Sequence, residues 1–278
     1  MAQVSRVSRL GVLLVVASVA CSSSRAPAHD VETPPICPAG DGGAGGASGV
    51  DGGASAAGAS AGGELDAPFE PCPTTGDCKI LPLGDSITFG NPTAKGGYRV
   101  ELFARAAADC KHITFVGSQK NGPDKVLGLP FPKNNEGHPG WTISQLDEIS
   151  TSEQALADSP SIVLLHIGTN DMFRGPEGSG DRLAALIDKL IAALPNSLLA
   201  VSTIIPLPPA AEDAEAYDAL VPGIVEERAR AGAHILYVDQ FDGFPSNGFV
   251  RDMVHPSDTV GYPWMGDTWY EAIAPYLR

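Results

Sequence analysis

From residue 79 onward, short continuous apolar runs alternate with longer segments in which apolar side chains return every three or four positions. The continuous runs are residues 79–84, 113–117, 161–167, 198–204 and 234–238. Runs of this length without polar alternation suit parallel strands covered on both faces, since each face of such a sheet packs against helices. The amphipathic segments 98–109, 143–157, 181–194, 213–231 and 264–276 predict those helices. Gly232, Pro195-Asn196 and Ser159-Pro160 stand where the helices should stop. Strands alternating with crossover helices predict an α/β protein: a three-layer α/β/α sandwich around a five-stranded, mainly parallel sheet. Residues 119–139, rich in Gly, Pro, Lys and Asn, break the rhythm and read as a long loop. No internal repeat is visible.

Upstream of this region the pattern changes twice. Arg6 and Arg9 precede an apolar run from Leu10 to Ala20, which reads as an export signal and is too short to span a bilayer comfortably. Cys21 follows Ser18-Val19-Ala20, which resembles a bacterial lipoprotein processing site with Cys21 as the lipidated residue. Ser18 stands where such sites carry an aliphatic side chain, so a plain secretory signal stays open. Residues 22–71 are dominated by Gly, Ala, Ser and Pro and lack the apolar side chains needed to offset ordering entropy. They read as a disordered linker, which leaves 72–278 as one globular domain. The expected location is a bacterial outer membrane or cell surface, through lipidated Cys21, or the medium. The chain is expected to act as a monomer.

A net charge of −15 argues against nucleic acid or an anionic membrane surface as partner. With Cys21 set aside, Cys37, Cys72, Cys78 and Cys110 permit two disulfides in an exported chain, with three pairings open. Their spacing resembles no zinc site, and neither metal nor organic cofactor is implied.

Candidate chemistry gathers at strand ends. Gly84-Asp85-Ser86-Ile87-Thr88 follows the first apolar run and puts a serine hydroxyl where α/β folds expose reactive groups. It is not the Gly-x-Ser-x-Gly elbow, because position 88 is Thr. Alone, Ser86 reads as a helix N-cap. Asp85 can fix the turn through its side chain. Asp252-Met253-Val254-His255 places a carboxylate three residues before an imidazole, which suits a general base held by an acid. A structural Asp–His contact is the plain alternative, and Asp109 and His112 share the spacing. That second pair falls at the start of a strand, away from the sheet edge that carries Ser86. Asn170, in Gly168-Thr169-Asn170-Asp171, follows the third apolar run and can donate to an oxyanion or form an Asx turn. Gly140, near a predicted helix start, offers a backbone N–H or a simple Pro-Gly turn. His166 reads as a core histidine with its hydrogen bonds met, or as a support behind the site, not as a catalyst. Arg99 and Arg174 read as surface or loop-pinning cations, and Trp141, Trp264 and Trp269 as core aromatics able to stack on sugars.

Taken together, Gly84-Asp85-Ser86, Gly140, Gly168-Thr169-Asn170-Asp171 and Asp252-x-x-His255 resemble the four sequence blocks of the SGNH (GDSL-type) hydrolase superfamily, whose fold is flavodoxin-like. The resemblance implies Ser86 as nucleophile, His255 as base and acid, Asp252 as its orienting carboxylate, and an oxyanion hole of Ser86 N–H, Gly140 N–H and Asn170. Asp85, Gly168 and Asp171 would support them. Gly96-Gly97-Tyr98-Arg99, Phe115-Val116-Gly117-Ser118, Glu136 to Trp141 and His255-Pro256-Ser257 are similar to carbohydrate esterase family 3. That narrower likeness implies removal of O-acetyl groups from hemicellulose such as acetylated xylan. After Asp171 the likeness fades, and no substrate-contacting residue can be named. Two other functions stay open: a lipolytic or thioester-cleaving acylhydrolase, and a non-catalytic, tethered carbohydrate-binding protein on the same fold.

Overall fold

The structure, a computed structural model, describes Cys37, residues 69–150, Ser152 and residues 156–278. The expected export signal, Cys21 and most of the 22–71 linker lie outside the described residues. In chain order the elements begin with β1 (Cys78–Gly84), α1 (Ser86–Phe89), α2 (Arg99–Ala108) and β2 (Ile113–Phe115). Next come β3 (Gln119–Lys120), β4 (Lys125–Val126), β5 (Leu129–Pro130), β6 (Asn134–Gly137) and α3 (Ile143–Ile149). Then follow β7 (Ile162–His166), α4 (Thr169–Arg174), α5 (Ser179–Ala193) and β8 (Leu198–Ser202). The chain ends with α6 (Ala211–Asp218), α7 (Val221–Arg230), β9 (Ile235–Val238) and α8 (Gly261–Ile273).

β1 is central because its apolar residues serve both faces. Ile80 packs with Leu102, Phe115 and Trp269, whereas Leu81 and Leu83 pack with Ile143, Leu146 and Ile187. β7 divides the same way, with Ile162 and Leu164 on one face and Val163 and Leu165 on the other. Strand side chains alternate sides, so a strand apolar throughout must be covered twice. On one side β1 pairs in parallel with β7, followed by β8 and β9. On the other, β2 runs beside its first residues and β6 beside its last, both parallel, and β3 closes the edge antiparallel to β6.

The five expected strands are present, but the main sheet has seven. The stretch read as a long loop supplies β3, β6 and the β4–β5 hairpin. Its strand β6 has the sequence Asn-Asn-Glu-Gly and is largely buried, so no apolar pattern announced it. The expected helix over 213–231 is broken between α6 and α7, with Pro222 in the first turn of α7, where its missing N–H costs nothing. The expected helix over 143–157 ends as α3 at Ile149, and part of the remainder lies outside the described residues.

Cys37 pairs with Cys110 and Cys72 with Cys78. Cys78 opens β1 and Cys110 lies between α2 and β2, so both staples sit at the edge where the parallel strands begin.

Candidate active site

The segments singled out in the sequence leave the opposite edge, at the strands' carboxyl ends. Gly84 ends β1 against β7 so closely that a Cβ there would stand 2.1 Å from the His166 carbonyl oxygen. The chain then turns into α1, with Asp85 as N-cap: its Oδ1 accepts from Ile87 N–H at 2.9 Å. Ser86 is thereby the first helical residue and not the cap. It is 6 % exposed, and its hydroxyl lies 2.9 Å from His255 Nε2.

His255 is presented by a tight turn between β9 and α8. Asp252 Oδ1 accepts from Val254 N–H at 2.8 Å and from His255 N–H at 2.9 Å. Asp252 Oδ2 lies 2.8 Å from His255 Nδ1. One carboxylate thus folds the turn and holds the ring. Accepting from Nδ1–H leaves the Nε2 lone pair facing the Ser86 hydroxyl. Burial raises the Asp252 pKa, but hydrogen bonds from His255 and Val254 outweigh it and keep the carboxyl below its ordinary value. The other Asp–His pair does not assemble, since Asp109 accepts from Tyr270 Oη–H at the far edge.

Asn170 links the Gly140 segment to the residue before Ser86. Asn170 Nδ2 donates to Trp141 O at 3.0 Å and lies 3.4 Å from Asp85 Oδ2. Gly168 opens α4 at φ 129°, where a Cβ would come within 2.6 Å of the Tyr217 ring. Asp171 is buried, accepting from Ile143 N–H at 2.9 Å and from Arg182 Nη2 at 2.9 Å. It ties α4 to α5 and places negative charge at the positive end of α3. Along residues 138–142 nearly every N–H is used. His138 N–H donates to Gly84 O, Trp141 N–H to His138 O and Thr142 N–H to Gln145 Oε1. Pro139 has none to give. Gly140 N–H is the exception, with no protein acceptor among the described residues.

Burial lifts the Asp85 pKa from 3.8 to about 7, against the pull of the Ile87 N–H and the His255 charge. His166 is buried too, but neither ring nitrogen has a hydrogen-bond partner among the described residues, contrary to the expectation of a satisfied core histidine. Desolvation lowers its pKa to about 4 and keeps it neutral.

Residues to which the sequence assigned no catalytic role complete the surroundings. Glu136 lies beneath the Gly140 segment, accepting from Ser118 N–H at 2.6 Å and facing His138 Nε2 at 2.6 Å. Burial pushes Glu136 up, yet the bonds from His138 and Ser118 win and its pKa is lowered. The His138 ring stacks on Trp141 with centroids 4.0 Å apart. A signal existed: Glu136 and His138 are two apart, the spacing that puts strand side chains on one side. Arg99 is buried, not on the surface, and pins the 119–134 stretch by donating to Asn121 Oδ1 and Lys133 O. Trp269 fills the core, and Trp264 packs edge-on against Phe244. Among the described residues no cluster of His, Cys, Asp and Glu forms a metal-binding set.

A hydroxyl, an imidazole and a carboxylate in sequence, beside a free backbone N–H and an amide side chain, suit acyl transfer. The sequence profile of the GDSL-like lipase/acylhydrolase family matches residues 83–260, which contain all of these groups. The chain belongs to that family. Similar solved structures include a family 3 carbohydrate esterase from Clostridium thermocellum, 34% identical with a TM-score of 0.63, covering 72% of this chain and 96% of that one. A family 3 carbohydrate esterase from Talaromyces cellulolyticus is 24% identical with a TM-score of 0.60, covering 71% and 96%. At that identity it speaks for the fold alone. A multidomain esterase from Ruminococcus flavefaciens is 29% identical over 230 residues, 73% of this chain. The match spans only 29% of that protein's length. Membership makes this chain a GDSL-type acylhydrolase, and it spans less than a third of the length of the multidomain esterase it matches.

Proposed function

We propose that the protein is an exported serine esterase that removes O-acetyl groups from plant cell-wall polysaccharide such as acetylated xylan. The reading rests on one observation above others, the unbroken line from Asp252 Oδ2 through the His255 ring to Ser86 Oγ, with contacts of 2.8 and 2.9 Å. Ser86 Oγ attacks the ester carbonyl carbon as His255 Nε2 takes its proton, and Asp252 balances the imidazolium charge. The carbonyl oxygen becomes an oxyanion that receives Gly140 N–H, Ser86 N–H and Asn170 Nδ2–H. The tetrahedral species collapses by breaking the bond to the sugar oxygen, which takes the proton from His255. Water then attacks the acetyl-enzyme, giving its proton to His255, and acetate leaves as Ser86 regains its hydrogen.

Likeness to a family 3 carbohydrate esterase supports a sugar ester as substrate. Two exposed apolar side chains support a contact with a polymer: Phe173, 49 % exposed, lies on the helix that carries Asn170, and Met253, 40 % exposed, lies between Asp252 and His255. The export signal and Cys21 anchor fit a polymeric substrate, which must be met outside the cell.

Acetate release from acetylated xylan, compared with acetylated mannan and chitin fragments, tests the substrate, and Ser86→Ala tests the chemistry. Wild-type activity in that variant would overturn the mechanism. Faster turnover of p-nitrophenyl octanoate than of the acetate would overturn the short-acyl assignment in favour of a lipolytic enzyme.

A further inference from the structure

Asn170 and Arg174 stand one turn apart on α4, a spacing that puts both on one face of a helix. Each holds a carbonyl of the same short segment. Arg174 Nη1 donates to Gly140 O at 2.7 Å, and Asn170 Nδ2 donates to the next carbonyl, Trp141 O, at 3.0 Å. Gly140 sits at φ 82°, a conformation that glycine adopts without steric cost. The freedom that admits this conformation also leaves the segment with little rigidity of its own. Gly140's own N–H does not hold it, having no protein acceptor among the described residues. On one side the turn is closed by Trp141 N–H bonding to His138 O at 3.1 Å. On the solvent side the side chain that restrains the Gly140–Trp141 peptide plane is Arg174.

Arg174 is exposed and forms no ion pair among the described residues, in a chain with 33 acidic and 18 basic side chains. Its neighbour Arg182 is fully engaged with Asp171, Gly175 and Glu177. Pairing an exposed guanidinium with a single peptide carbonyl contributes little to stability, so its consequence lies in where the carbonyl, and the N–H across the glycine, are held.

We infer that Arg174 is a positioning residue for the oxyanion hole, fixing the direction of Gly140 N–H by holding Gly140 O. The inference rests on the reading of Gly140 N–H as an oxyanion donor. It assigns Arg174 no contact with substrate. Without the clamp the glycine samples other conformations, and its N–H points at the developing charge for only part of the time. A loss of alignment hurts the transition state more than the ground state, so kcat should fall and KM should not.

The test is steady-state hydrolysis of p-nitrophenyl acetate by wild type, Arg174→Ala, Arg174→Lys and Ser86→Ala. Inhibition by a short alkylboronic acid, which forms a tetrahedral adduct on a serine, is measured alongside. Arg174→Ala should lower kcat about 10-fold with KM within two-fold. The boronate inhibition constant should rise by a similar factor, because the adduct uses the same donor. Arg174→Lys, which keeps a cationic donor within reach of the carbonyl, should recover most of the loss. The thermal midpoints of the two Arg174 variants should match wild type, since that side chain is exposed. A kcat within two-fold of wild type in Arg174→Ala would overturn the inference, as would a raised KM with unchanged kcat, which would make Arg174 a substrate contact. If Ser86→Ala is inactive while Arg174→Ala is normal, only this inference fails. If Ser86→Ala is active, the mechanism beneath it fails too.

Discussion

Asp85 is held wholly out of water beside Ser86, and that placement makes a measurable prediction. Burial raises its pKa from 3.8 to about 7, so the native state binds its proton more tightly than the unfolded chain does. The sign follows from linkage: Asp85 costs nothing when protonated in both states, and the cost grows as pH rises from about 4 to about 7. At 1.36 kcal/mol per pKa unit, a shift of about three units amounts to roughly 4 kcal/mol at alkaline pH. At pH 5 the unfolded chain has already ionised, which leaves roughly 3 kcal/mol to appear between pH 5 and pH 8.5. Asp218, raised to about 8 mainly by burial, adds a cost of the same sign. Comparing wild type with Asp85→Asn cancels that second contribution. Asparagine keeps an oxygen to accept from Ile87 N–H, so the turn before Ser86 survives. The assay is urea unfolding followed by the fluorescence of buried Trp269, at pH 5 and pH 8.5. Wild type should lose roughly 3 kcal/mol more than the variant on going from the lower to the higher pH. A gap between the two proteins that stays constant with pH, or that changes in the opposite direction, would refute the assignment of Asp85 as a desolvated, weakly acidic group.

Other consequences are simpler to state. Asp252→Asn sets an amide N–H against His255 Nδ1, favours the tautomer with Nε2–H toward Ser86, and should lower kcat/KM on the order of 10²–10⁴-fold in ester hydrolysis at pH 7. Gly168→Ala forces a Cβ to within 2.6 Å of the Tyr217 ring at φ 129°, and calorimetry should show a loss of about 2–4 kcal/mol. Reducing both disulfides, which close sequence separations of 73 and 6 residues, should lower stability by roughly 2–5 kcal/mol. Under conditions where the reduced protein stays folded, turnover of p-nitrophenyl acetate should change less than two-fold. Phe173→Ala should raise KM several-fold for acetylated xylan and leave the small ester unaffected, as kinetics on both substrates would show.

The residues of the site that were legible in the sequence are those whose chemistry requires an unusual residue at a strand end. Ser86 and Asn170 qualify because polar residues directly after buried strands need a reason to be there, and the Asp252–His255 turn because a carboxylate stands three residues before an imidazole. Gly140 was legible from its place before a helix and its likeness to a known block. The 119–139 stretch hid β6 because hydrophobic periodicity detects only strands that bury apolar side chains. Asn135 and Glu136 are buried by hydrogen bonding, and the partners of Glu136 lie at Ser118, 18 residues back, and at His138. Arg174 reads as a surface or loop-pinning cation, and it is exposed and pins a loop, but the carbonyl it meets leaves no mark in the sequence. The disulfide pairing depended on which strand ends share an edge, which is tertiary information. The break before α7 did have a local signal in Pro222, outweighed by the apolar periodicity on either side.

The two edges of the sheet divide the work of the molecule. Ser86, Gly140, Asn170 and His255 leave the carboxyl ends of the strands, while both disulfides gather at the other ends. β1 alone, with seven residues, sets these edges about 20 Å apart. The chain at Cys37 is therefore stapled on the side of the domain away from Ser86. The Cys72–Cys78 staple fastens the chain entering the domain to the first residue of β1, at the end away from Ser86. The cost of burying Asp85 and the use of Arg174 as a clamp belong to the site edge, where stability is spent on geometry, and the disulfides reinforce the edge that carries none of the chemistry.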